Sequence, residues 1–178
     1  MMHDRPPHRD LSPPGDAPAG RSRPEIRLVA GGTAVVFSWT GDRWRHVVIT
    51  PEGRAFESID ATEGGDPRWP ASPPLVEVSS VRTERGPAIL AVGLAGRSHF
   101  SASIVPQPST PDTLLFEIAC RLQETPAWLG SSYWGGGDRI RVAADSSAIA
   151  LPSTVQWAYT IGPAGLQTLA RPGEPAGA

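Results

Sequence analysis

In VQWAYTI, residues 155–161, the large apolar side chains Val155, Trp157, Tyr159 and Ile161 occupy every second position, with Gln156, Ala158 and Thr160 between them. An extended chain puts alternate residues on one face, whereas a helix would scatter these four around its circumference. The same period of two recurs along the chain. In TAVVFSW (33–39), Thr33, Val35, Phe37 and Trp39 share a face, and EIRLVA (25–30), WRHVVIT (44–50), RAFESI (54–59), LVEVSSV (75–81) and SHFSASIV (98–105) continue the pattern. Between these segments stand turn formers: Gly31-Gly32, Thr40-Gly41-Asp42, Pro51-Glu52-Gly53 and Gly162-Pro163-Ala164-Gly165. Each allows a backbone reversal that a β-branched residue would resist. Residues 33–59 therefore read as a three-stranded meander, and LQTLA after the last turn as a closing edge strand.

Two segments need separate treatment. PAILAVGLA (87–95) is apolar at nearly every position, the mark of a central strand covered on both faces. DTLLFEIACRLQ (112–123) supports two periods. As a helix, with Thr110 capping and Pro111 in the first turn, it strands Phe116 and Cys120 away from Leu114, Leu115, Ile118, Ala119 and Leu122. As a strand it leaves only Leu115 opposite an otherwise apolar face, so the extended alternative is expected. DRIRVAA (138–144) and SAIAL (147–151) complete the set as a short hairpin. About ten short strands with no alternating helices predict an all-β domain, an antiparallel β-sandwich or partly open barrel, and disfavour a parallel βαβ fold.

The 178-residue chain fits one such domain, from about residue 25 to 170. Residues 1–24 are rich in Pro, Gly, Asp and Arg and poor in aliphatics, and 171–178 read RPGEPAGA. Neither stretch can bury enough apolar surface to offset its ordering entropy, so both are expected to be disordered.

Composition narrows the chemistry. The net charge of −2 provides no basic stripe for nucleic acid or for an anionic membrane surface. There is no lysine and no asparagine; every basic side chain is arginine, as a GC-rich coding sequence favours. A P-loop and a Schiff-base enzyme both require lysine, and N-glycosylation requires asparagine. Cys120 is the single cysteine, so no internal disulfide and no multi-thiolate zinc site can form. Among Ile118, Ala119 and Leu122 it is expected to act as a small buried hydrophobe. No apolar h-region opens the chain and no run is long enough to span a bilayer, which places it by expectation in a bacterial-type cytoplasm. No cofactor and no metal are implied.

The candidate site is AGRSHFSASI (95–104). On a strand His99, Ser101 and Ser103 share one face, opposite Phe100, Ala102 and Ile104. Same-face neighbours stand about 6–7 Å apart, too far for a direct His99–Ser101 hydrogen bond, so no nucleophile–base pair is built into the strip. Arg97, His99 and Ser101 suit a ligand-orienting face better than a catalytic one. A second candidate is PAWLGSSYWGGGDR (126–139), read as a loop. In it Tyr133 and Trp134 beside a glycine run offer a ligand platform, with Trp128 and Leu129 as anchors. His46 shares a face with Trp44. With His99 it would supply at most half of a metal site, and each histidine is expected instead to be a partly buried hydrogen-bonding group. In the loop 60–74, four prolines give stiffness and Trp69 an anchor on the core.

AGRSHFSASI, LLFEIACRLQETPAWLGSSY and the upstream WPASPPL together make the chain similar to a group of β-rich proteins from GC-rich, planctomycete-type bacterial genomes. The resemblance implies no activity, ligand or catalytic residue. The expected function is a non-enzymatic module binding a small ligand or a protein partner, through Arg97, His99, Ser101, Tyr133 and Trp134. One alternative is a hydrolase-like enzyme with His99 as general base and an acid such as Asp138 brought to it by folding. Another is a subunit of a larger assembly, tethered by the proline-rich tail.

Overall fold

The computed structural model describes residues 23–62, 65–145 and 150–169. Every regular element in it is a β-strand: β1 Ile26–Ala30, β2 Thr33–Trp39, β3 Trp44–Ile49, β4 Ala55–Ser58, β5 Leu75–Thr83, β6 Gly86–Ala95, β7 Ser98–Pro106, β8 Leu114–Leu122, β9 Gly130–Gly135, β10 Asp138–Ala143, β11 Ser153–Gly162 and β12 Gly165–Thr168. All pairings are antiparallel. The all-β sandwich or partly open barrel expected from the period of two is what forms.

The twelve strands make one sheet that forks at β3. Val47–Ile49 pair with β4, while Trp44, at the other end of the strand, pairs with Leu75 of β5. The fork separates two six-stranded halves, β1-β2-β3-β4-β9-β10 and β5-β6-β7-β8-β11-β12. They fold over onto each other, and the alternating apolar residues of both line the space between.

The hairpin turns follow the expected chemistry. Ala30 pairs with Thr33 across Gly31-Gly32, and Gly31 takes a φ of 56°, open to glycine at little cost. The ambiguous segment is a strand, β8, paired on both edges: His99 opposite Arg121 on one side, Ser153 opposite Leu122 on the other. Cys120 is fully buried, and burial pushes its thiol up to about 12. Trp69 pins the 60–74 loop inside, edge-on to Phe100 at 6.2 Å.

Three expectations are corrected. The stretch 126–139 is not a loop: Gly130–Gly135 is β9, flanked by β4 and β10, and DRIRVA, as β10, is its hairpin partner. Its serines disguise it. Ser131 and Ser132 are buried, Ser131 accepting from Trp157 Nε1 at 3.1 Å and the Ser132 carbonyl accepting from Ser72 Oγ at 2.8 Å. Among the described residues β6 is covered on one face only; Leu90, Val92 and Leu94 stand 46, 46 and 50% exposed. His99 is exposed on the outer face of its sheet rather than partly buried, while the His46 ring packs on the inner face of its own. The expectations for residues 1–22, 146–149 and 171–178 fall outside the described residues.

Candidate functional site

The outer face of β5-β6-β7-β8-β11 carries the predicted strip. Register sets its rows. Leu94, His99 and Arg121 stand side by side, followed by Thr154 near the end of β11. The next row runs Glu77, Val92, Ser101, Ala119, Gln156, and the one after runs Ser79, Leu90, Ser103, Glu117, Ala158. Successive strands are about 4.8 Å apart, so each row is continuous.

The rows have relief. On β6 the outward side chains are Leu90, Val92 and Leu94, a ridge extended by Val76, which is 39% exposed. Beside it the side chains shrink to Ser101, Ala119 and Ala158, and the surface drops into a trough of about 350 Å³ between Leu90, Glu117 and Gln156. An adjoining hollow of about 500 Å³ runs past Val92, Leu94, His99 and Arg121. Ser101 and Ala119 border both. A contiguous apolar ridge on a sheet whose other face already packs the core is the usual sign of a surface that something else covers.

The predicted residues divide. His99 and Ser101 lie on this face, and Arg97 lies at its end in the β6–β7 turn. Arg97 reaches Glu124 at 3.8 Å and the Gln123 carbonyl at 3.5 Å. Glu124 also meets Arg68 at 3.6 Å, so the turn is tied to the 60–74 loop. Across the strands His99 has Leu94 and Arg121, neither of them a carboxylate. Tyr133 and Trp134 are in the other half, on β9. Tyr133 is fully buried, and Trp134, 51% exposed, faces outward between Glu57 and Arg139. The structure does not bring these two to the strip.

Sequence reasoning passed over Leu90, Val92, Leu94, Ala119 and Ala158. The available signal was the double-sided apolarity of β6, taken as evidence of cover on both faces.

A second polar constellation lies between the halves. His46 Nε2 and Tyr133 Oη share a hydrogen bond of 2.8 Å, and Tyr133 Oη and Tyr159 Oη one of 2.7 Å. Tyr159 is also hydrogen-bonded to Ser131. The His46 ring stands against Phe37, Phe116 and Tyr133 at centroid distances of 4.9, 5.8 and 5.5 Å. Counted over the whole residue His46 is only half-buried, but the imidazole is the part that titrates, and it is enclosed. Burial lowers its pKa to about 4, so it is neutral at pH 7. Burial likewise raises Tyr159 to about 12 and holds Tyr133 well above the ordinary phenol range. The chain of groups runs from β3 through β9 to β11 and has the character of a structural stitch.

Among the described residues no three His, Cys, Asp or Glu side chains gather as metal ligands, and no helix is long and apolar enough to cross a membrane. Compared with protein families, with curated proteins and with solved structures, the chain matches none.

Proposed function

We propose that this chain is a non-enzymatic binding module of the cytoplasm, and that its docking surface is the outer face of β5-β6-β7-β8-β11. The observation that carries the reading is the ridge of Leu90, Val92 and Leu94 beside the small-residue trough at Ser101, Ala119 and Ala158. A protein partner suits this surface better than a small molecule. Small-ligand sites enclose most of their ligand, whereas this trough is a furrow on an open sheet with half-exposed walls. His99, Ser101 and Arg121 then orient the partner at one end of the face. The hydrolase-like alternative lacks support at His99, whose cross-strand neighbours provide no acid to orient an imidazole base.

The test uses an apolar fluorescent probe, anilinonaphthalene sulfonate, with about 1 μM native protein. Enhancement at a single class of site, abolished by Ala119→Trp, which fills the trough, is the expected result. No enhancement, or enhancement indifferent to Ala119→Trp, overturns the assignment of this face.

A further inference from the structure

We infer that the partner for this face is a second copy of the chain, docked about a two-fold axis that runs along β7; the inference rests on the docking surface proposed above. Ridge and trough lie one strand to either side of β7, on β6 and β8, and in the same register rows. Rotation by half a turn about an axis parallel to β7 preserves position along the strands and exchanges the two sides. The β6 ridge of each copy then lies over β8 of the other. Val92 meets Ala119, because both belong to the Ser101 row. Leu94 lies on the methylene stem of Arg121, and Leu90 stands over the stem of Glu117 beside Ala158. One strand further out, Glu77 on β5 comes opposite Gln156 on β11, where the amide can donate to the carboxylate. A surface whose knobs sit one strand away from its own holes fulfils the requirement of an isologous interface.

Charge and size agree. The register sets the carboxylates of Glu77 and Glu117 against Gln156 and Leu90 and the Arg121 guanidinium against Leu94, so no two like charges are brought opposite each other. Strand directions are kept by the rotation, which corresponds to aligned sheet-on-sheet packing. Five strands and the three rows from Leu94 to Leu90 cover about 24 Å by about 20 Å, or about 500 Å² per copy. The total, about 1,000 Å², stands at the size a specific interface has to reach, in the range of weak and transient ones. A weak, concentration-dependent dimer follows.

Sedimentation velocity on the full chain, from about 1 to about 300 μM, reads the outcome. The weight-average mass is expected to climb from 18.8 kDa towards twice that value. V92E and A119R should each weaken association at least about 100-fold, and V92S, which removes the knob without adding charge, about 10-fold. An equimolar mixture of V92E and A119R should recover dimers. In the mixed pair the introduced carboxylate faces the introduced guanidinium, and the symmetry-related contact remains Val92 on Ala119. Far-UV circular dichroism and the urea midpoint establish that each variant is folded. A chain that stays monomeric at the highest concentration, an association indifferent to these variants, or a mixture that fails to recover would each overturn the two-fold dimer. A monomer that still takes up the apolar probe in the trough would refute the second copy alone and leave the docking face standing.

Discussion

Acid should destabilise this fold through one side chain, His46, and the size of the effect can be worked from its surroundings. The folded imidazole has a pKa near 4 because Phe37, Phe116 and Tyr133 enclose it, while in the unfolded chain it returns to about 6.5. Below 6.5 the unfolded state binds a proton that the folded state refuses, so stability is full above 6.5 and falls as pH drops towards 4. The loss reaches about 1 kcal/mol at pH 5.5 and about 3 kcal/mol at pH 4.5, and levels off once both states are protonated. Asp42 and Asp66, lowered by their hydrogen bonds to Arg43 and Arg68, lose those partners only further into acid. Urea unfolding at pH 7.5, 6.5, 5.5 and 4.5 gives the slope, and the same series on His46→Gln subtracts every other group. Glutamine keeps a hydrogen-bonding partner for Tyr133 without titrating, so the variant should be nearly flat between pH 6.5 and 4.5, whatever its absolute stability. Identical slopes for the two proteins would refute the neutral, enclosed imidazole.

Other expectations come from the same packing. Tyr133→Phe removes the hydroxyl shared by His46 and Tyr159 and should cost about 1–3 kcal/mol in urea unfolding, because His46 Nε2 loses its buried partner; a change under about 0.5 kcal/mol would show the stitch to be dispensable. Cys120, fully buried with its thiol near 12, should react with an aromatic disulfide reagent at pH 8 only as fast as the chain unfolds, and an immediate stoichiometric reaction would contradict its place in the core. Gly93→Ala places a Cβ 2.2 Å from the Pro74 carbonyl oxygen, where the β5 bulge brings the backbone over β6, and should lower the thermal midpoint through a loss of about 1–3 kcal/mol.

The strands were legible wherever a local rule governs them. Period two identified β2, β7 and β11, glycine turns delimited the hairpins, and β8 was separable from a helix because only an extended chain gathers Phe116 and Cys120 with Leu114, Ile118 and Leu122. β9 was not legible, because its burial is settled by groups distant in sequence. Ser131 is acceptable inside because Trp157 donates to it, and Ser132 because Ser72 and Ile59 satisfy its carbonyl. A local pattern cannot register partners 26 or 60 residues away. Tyr133 was misplaced for the same reason. Its ring reads as a loop aromatic only until β9 is known to face β11, where Tyr159 takes its hydroxyl.

The candidate site was half legible, and the missing half lies on β6. An apolar run reports that both faces avoid water, not which element keeps water away. On the inner face of β6 the cover is the chain's own core, where Ile89 and Ala91 are buried. On the outer face no described residue of the chain stands over Leu90, Val92 and Leu94, although either neighbour in register, Ser101 or Ser103, shows that a polar residue is compatible with that surface. A sheet needing only to face solvent would gain by alternating polar residues there. Three aliphatic side chains in a row instead add an aggregation liability with no return to the isolated fold. Cover by another molecule supplies the return, and the adjacent trough at Ala119 limits its shape to something presenting a ridge of its own. The chain already displays such a ridge one strand to the far side of β7.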